Sequence, residues 1–198
     1  MLLGLPKKIQ ASFAKRMIDP SDVVRQLGVD QGWRVLEIGI PVGFFAHALH
    51  QVIGDSGEMI IAAPTTEALE KLHDEIDHVH TKTTLLTHVL AGEAAPDRSL
   101  DLIILTNVLS NATHADNFCL STARYLKPTG RIVVLDWDVE AQSTFAKPNA
   151  LSREQALHLL TKCGWTFERL LATPGYHFGL IFRAASPMGG NPRAEAAA

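Results

Sequence analysis

Val35-Leu36-Glu37-Ile38-Gly39-Ile40-Pro41-Val42-Gly43-Phe44-Phe45 carries an apolar strand into an acidic residue, a glycine-punctuated turn and the start of a helix. Glycines in such a turn permit a tight reversal and close backbone approach, and the helix start presents unpaired amides. The stretch therefore outlines a loop that cradles a nucleotide cofactor. The middle position, where a second glycine would bring the backbone nearest a ligand, is Pro41. Proline holds φ near about −65° and has no amide hydrogen.

Outward from this loop the chain alternates strand and helix. Arg34 to Ile38 is expected to be a buried strand and Phe44 to Val52 a helix, ended by Gly54 and the turn Asp55-Ser56-Gly57. Glu58 to Ala63 predicts the second strand. Glu67 to His78 predicts a helix with Leu69, Leu72 and Ile76 on one face, and Thr83 to Leu90 a β-branched third strand. Leu100 to Leu105 is a wholly apolar fourth strand after its Asp101. A helix over Asn117 to Leu126 then leads through the turn Lys127-Pro128-Thr129-Gly130 into strand Arg131 to Leu135. Ser152-Arg153-Glu154-Gln155 is a capping box that opens a helix ending at Cys163-Gly164. Trp165 to Leu171 and His177 to Arg183, joined through Thr173-Pro174-Gly175, are expected to pair antiparallel at the sheet edge. Continuous apolar strands separated by helices imply a doubly wound α/β sheet, whose ligands bind beyond the strand C-termini. The loop from Gly39 to Gly43 lies there.

The 198 residues divide into an N-terminal helical cover at 1–28, one α/β domain at 29–183 and a tail at 184–198 that is expected to be disordered. The cover opens with Ile9, Phe13 and Met17 at four-residue spacing. Its cluster Lys7, Lys8, Lys15 and Arg16 then forms the wet side of an amphipathic helix. Eighteen basic against twenty-one acidic residues give a net charge of −3, so no nucleic-acid partner is expected. No apolar run approaches the roughly 20 residues of a membrane span, and a cytoplasmic location is expected. Cys119 and Cys163 are far apart and build neither a disulfide framework nor a cysteine zinc site.

The ordered landmarks resemble the class I S-adenosylmethionine-dependent methyltransferases, in particular the small ones related to the ubiquinone/menaquinone group. Those landmarks are Val35-Leu36-Glu37-Ile38-Gly39 with Gly43, Gly57-Glu58, Pro96-Asp97-Arg98-Ser99-Leu100-Asp101, Asn107-Val108-Leu109 and Leu126-Lys127-Pro128-Thr129-Gly130-Arg131. Asp136-Trp137 and Tyr176-His177-Phe178-Gly179-Leu180 complete the set, which runs from about Asp19 to Arg183. The resemblance implies a Rossmann-like, seven-stranded sheet, mostly parallel with an antiparallel C-terminal strand, and S-adenosylmethionine as cofactor. It places cofactor contacts at Glu37, Gly39, Pro41, Gly43, Ala63, Glu93 and Asn107. Glu37 would orient the methionine ammonium and Glu93 would meet the adenine. The chain departs from the family at Pro41, where the family has glycine, and at Ala63, where an acidic residue holds the ribose hydroxyls. The first loop is thus degenerate.

The expected activity is methyl transfer to a small-molecule acceptor. Candidates for a general base at the same sheet edge are Asp136, His114 and His177, with Tyr176 beside it, while Trp137 and Phe44 are candidates to line an apolar pocket. The acceptor is expected to be gripped by the N-terminal helix and the insert Asp138 to Asn149. An alternative is a methyltransferase fold that has lost the cofactor and serves as a binding partner or as a repurposed, metal-assisted hydrolytic enzyme. His73, Asp77, His78, His80 and His88 are the residues that raise a metal site, although no regular element aligns three of them and none is assigned. A Ser-His-Asp hydrolase lacks its Gly-x-Ser-x-Gly elbow.

Overall fold

A computed structural model describes residues 18–39, 41–76, 81–87, 94–110, 121–141 and 149–183. Asp19 caps the first helix, α1 (Pro20–Leu27), by accepting from the amide of Ser21 at 2.9 Å, and Gly28 closes it in the left-handed region at φ 60°. The aliphatic runs then form strands β1 (Arg34–Gly39), β2 (Glu58–Ala63), β3 (Lys82–Thr87) and β4 (Leu100–Thr106). Between them lie helices α2 (Ala46–Ile53) and α3 (Thr66–Ile76). Strand β5 (Leu126–Trp137), a short 3-10 turn (Val139–Ala141), helix α4 (Arg153–Lys162), β6 (Thr166–Leu171) and β7 (His177–Arg183) complete the order.

The seven strands lie in the order β3-β2-β1-β4-β5-β7-β6. Strands β1 to β5 pair in parallel, and β7 runs antiparallel to both β5 and β6. The expected sheet, mostly parallel with one reversed strand near its C-terminal edge, is what forms. Its chain order turns back between β1 and β4, the switch point at which doubly wound sheets open a crevice.

Two cores cover the sheet. On one face Val35, Met59, Ile61, Leu102, Ile104 and Val133 meet Leu49 and Ile53 of α2 and Val23, Val24 and Leu27 of α1, so α1 shares the core of the sheet. On the other, Leu36, Ile103, Leu105, Ile132 and Val134 meet Ala156 and Leu160 of α4.

Several boundaries depart from the sequence expectation. Helix α2 starts at Ala46, two residues later than expected, because Gly43 sits at φ 71° and Phe44 and Phe45 complete a turn. Strand β3 runs from Lys82 to Thr87, and residues 88–90 of the expected strand lie outside the described residues. The helix expected to end at Leu126 is helical only through Ala123, and Leu126 instead begins β5. Leu126 pairs with Leu100, yet Arg131 pairs with Leu102, so Lys127 to Gly130 bulge out of the ladder rather than simply preceding it. Gly130 makes the fold-back possible, since a Cβ there would lie 2.5 Å from the Leu126 side chain and 2.9 Å from the Leu100 carbonyl oxygen. The N-terminal segment through Met17, Asp77, His78, His80, His88, Glu93, His114 and the tail from Ala184 also lie outside the described residues.

The capping box of α4 forms as its sequence implies. The Gln155 amide donates to Ser152 Oγ at 3.2 Å and the Ser152 amide to Gln155 Oε1 at 2.8 Å. Ser152→Ala is therefore expected to cost about 1 kcal/mol, read as a lower midpoint in urea unfolding with an unchanged slope.

Candidate functional site

Strand β1 brings Glu37 and Gly39 to the C-terminal edge of the parallel strands, β2 brings Ala63, β4 ends there in Thr106 with Asn107 following, and β5 brings Asp136 and Trp137. Because β7 is reversed, its first residue, His177, arrives at this same edge, paired with Trp137.

Glu37 is 1% exposed. Its Oε1 accepts from the backbone amide of Phe45 at 3.0 Å. Helix α2 has no side-chain cap of its own, so the carboxylate supplied by β1 takes that role. Oε2 has no hydrogen-bond partner among the described residues. Burial pushes the carboxyl up to about 7, against the opposing pull of the Phe45 and Phe44 amides.

The two loop glycines have reasons inside the fold. A Cβ on Gly39 would lie 2.4 Å from the carbonyl oxygen of Thr106 and 2.7 Å from its Cβ, so the glycine lets β1 and β4 close up. Gly43 combines its positive φ with a Cβ direction that ends 2.4 Å from a methyl of Leu72, on α3. Pro41 is exposed on the turn between them, and Ala63 is buried at the end of β2, where it offers no carboxylate. Asn107 adopts φ 53°, a left-handed conformation that asparagine tolerates better than most residues, and donates its amide to the Leu135 carbonyl at 2.8 Å.

Of the three residues expected as bases, His114 lies outside the described residues. Asp136 is buried with its oxygens occupied: Oδ2 accepts from the amides of Leu109 at 2.8 Å and Ser110 at 3.2 Å, and Oδ1 from Trp137 at 2.8 Å. Burial raises its pKa, and these bonds pull the other way. The carboxylate thus fastens the loop after β4 to the end of β5. His177 stacks on Trp137 with ring centroids 4.0 Å apart, and burial lowers its pKa to about 4. It is neutral at physiological pH, and its buried Nδ1 has no partner among the described residues. Burial thus removes the near-neutral titration that would suit this imidazole to general-base work. Phe44 packs edge-on against Phe45 at 5.1 Å.

Thr106 and His50 lie outside the motifs that the sequence displays. Thr106 is 1% exposed, and its Oγ1 is without a partner among the described residues. The hydroxyl at the end of an otherwise aliphatic run was the available signal. His50, on α2, bonds through Nε2 to Thr83 Oγ1 at 3.1 Å and joins α2 to β3. Among the described residues no three His, Cys, Asp or Glu side chains form a metal-binding group. No helix among them is long and apolar enough to cross a membrane.

No protein-family profile matches the chain. It is 28% identical over 145 residues to the ubiquinone/menaquinone biosynthesis C-methyltransferase UbiE of Pseudoalteromonas translucida, across 69% of this chain and 55% of that protein. It is 32% identical over 149 residues to the UbiE of Vibrio campbellii, across 69% of this chain and 52% of that one. The chain thus spans about half the length of these curated relatives. In structure it superposes on a SAM-dependent methyltransferase from Aquifex aeolicus with a TM-score of 0.75 at 20% identity, covering 89% of this chain and 95% of that one. The strand order and pairing are those of the Rossmann-like methyltransferase fold. In sequence the chain is similar to ubiquinone/menaquinone C-methyltransferases, and in fold to a SAM-dependent methyltransferase.

Two outcomes test this account of the loop. Gly39→Ala should lose on the order of 1–3 kcal/mol of stability with no ligand present, measured by denaturant unfolding, because the added methyl meets β4 backbone. Glu37 titrates near 4.5 when unfolded and near 7 when folded, so the fold holds its proton more tightly. Its ionisation therefore destabilises the fold increasingly as pH rises from 4.5 to 7, and constantly above, by on the order of 3 kcal/mol. Glu37→Gln keeps an acceptor for Phe45 without the charge. It should unfold at a higher temperature than wild type at pH 8, with the gap closing toward pH 5.

Proposed function

We propose that this domain binds S-adenosylmethionine at the β1/β4 crevice and transfers its methyl group to a small-molecule acceptor. The observation that carries the proposal is Glu37 Oε2, a buried carboxylate oxygen without a protein partner beneath the loop at the switch point. Such an oxygen suits an ammonium group, and the family relationship supplies a cofactor that has one. The fit is good at the amino-acid end of the cofactor and poorer at its ribose, because Ala63 stands where the family has a carboxylate. Asn107 would border the same crevice, and Glu93 would take the adenine.

When bound, the cofactor supplies a methyl carbon on a positively charged sulfur. A nucleophilic atom of the acceptor forms a bond to that carbon while the carbon–sulfur pair returns to sulfur. The protein contributes alignment and exclusion of water. Asp136, with both oxygens engaged by backbone amides, holds the β4 loop in place rather than moving protons. Trp137 and the neutral His177 would form an uncharged aromatic wall on the β5/β7 side, suited to an acceptor that carries little charge. An acceptor proton is released to water or to a group outside this set.

Calorimetric titration of cofactor-free protein with S-adenosylmethionine and S-adenosylhomocysteine tests the proposal. Binding in the micromolar range is expected, and silence up to millimolar concentration would falsify it. Glu37→Gln should weaken binding of either compound by about ten-fold or more through loss of one charge-assisted hydrogen bond. Ala63→Asp should strengthen it by offering the ribose hydroxyls a carboxylate.

A further inference from the structure

The Thr106 hydroxyl has no hydrogen-bond partner among the described residues. Thr106 ends the run Leu102-Ile103-Ile104-Leu105 and is buried on the central strand, where an aliphatic side chain would serve the core better. It pairs with Gly39 across the switch point, and its Cβ lies 2.7 Å from where a Gly39 Cβ would be. The two side-chain directions therefore coincide. Glu37, two residues earlier on β1, projects to the same face by strand alternation. Two buried oxygens without partners among the described residues, Glu37 Oε2 and Thr106 Oγ1, thus flank one glycine at the C-terminal ends of β1 and β4.

Their chemistries differ in a useful way. A carboxylate only accepts, whereas a hydroxyl donates one hydrogen bond and also accepts. An amino-acid zwitterion needs both kinds of partner, an acceptor for its ammonium and a donor for its carboxylate. We propose that Thr106 is a second binding residue for the amino-acid end of S-adenosylmethionine, its hydroxyl donating to the carboxylate while Glu37 takes the ammonium. This rests on the methyltransferase reading given above. It adds a residue that the motif around Glu37 does not contain.

Thr106→Val preserves shape and removes the hydroxyl, Thr106→Ser keeps the hydroxyl, and Thr106→Ala removes hydroxyl and methyl together should valine fail to fold. S-adenosylhomocysteine and 5′-methylthioadenosine, which lacks the amino-acid end, serve as calorimetric probes, and thermal unfolding without ligand is measured alongside. Thr106→Val should melt no lower than wild type, bind S-adenosylhomocysteine about ten-fold more weakly and bind 5′-methylthioadenosine unchanged. Thr106→Ser should stay within about two-fold of wild type for both probes. Equal affinity of wild type and Thr106→Val for S-adenosylhomocysteine overturns the assignment, as does a parallel loss for both probes. If the wild type binds neither S-adenosylmethionine nor S-adenosylhomocysteine, the methyltransferase reading itself fails and the role of Thr106 with it.

Discussion

The bond from the Phe45 amide to Glu37 Oε1 is the constraint on which the crevice depends. Helix α2 begins without a serine, threonine, asparagine or aspartate to cap it, and its first turn borrows an acceptor from the neighbouring strand. A local cap would leave the strand and helix free to shift against each other; a cap that crosses from β1 to α2 does not. The rest of α2 confirms the placement through buried Leu49 and Ile53 on the sheet and the His50–Thr83 bond to β3. The loop between β1 and α2 is consequently held at both ends, and Glu37 is placed beneath it with one oxygen to spare.

The two edges of the sheet differ in how their polar groups are satisfied. At the strand starts, Glu58 pairs with Arg34 at 2.6 Å and Lys82 at 3.0 Å, Asp101 with Lys127 at 2.7 Å, and Glu168 with Arg183 at 2.6 Å and Arg131 at 3.4 Å. Burial works against the charge on Glu58, but its two cations outweigh it and hold the carboxyl below the usual range. These partly exposed pairs are individually weak, yet they leave each carboxylate with a counter-ion. At the opposite edge Glu37 Oε2, Thr106 Oγ1 and His177 Nδ1 are buried with no partner among the described residues. At one edge the carboxylates have counter-ions; at the other, acceptor and donor atoms are buried without a protein partner among the described residues.

Local signals gave most of the architecture away in the sequence. The continuous runs at Val35 to Ile38, Met59 to Ala63 and Leu102 to Leu105 can only be strands buried on both sides, and the Ser152–Gln155 box announced α4. Leu126 was misread because its helical precursor and its strand meet within a few residues, and only the long-range pairing with Leu100 decides between them. The site was less legible for the same kind of reason. Gly39 and Gly43 look alike in the sequence, yet one admits β4 and the other combines a left-handed turn with the approach of Leu72. A free imidazole titrates near neutrality, whereas His177 is lowered by a burial that its place beside Trp137 on the neighbouring strand makes visible only in the fold. Spacing reports which residues reach an edge, and only packing reports what they become there.

The reversal of β7 has a practical side. The strand enters at the crevice with His177 and runs to Arg183, which pairs with Arg131 at the far end of the sheet. A linker, surface anchor or fluorescent reporter joined directly after Arg183 would therefore start from the edge occupied by the ion pairs, at the opposite end of the strands from Glu37 and Thr106. Attachment at that end leaves the edge with Glu37 and Thr106 unencumbered.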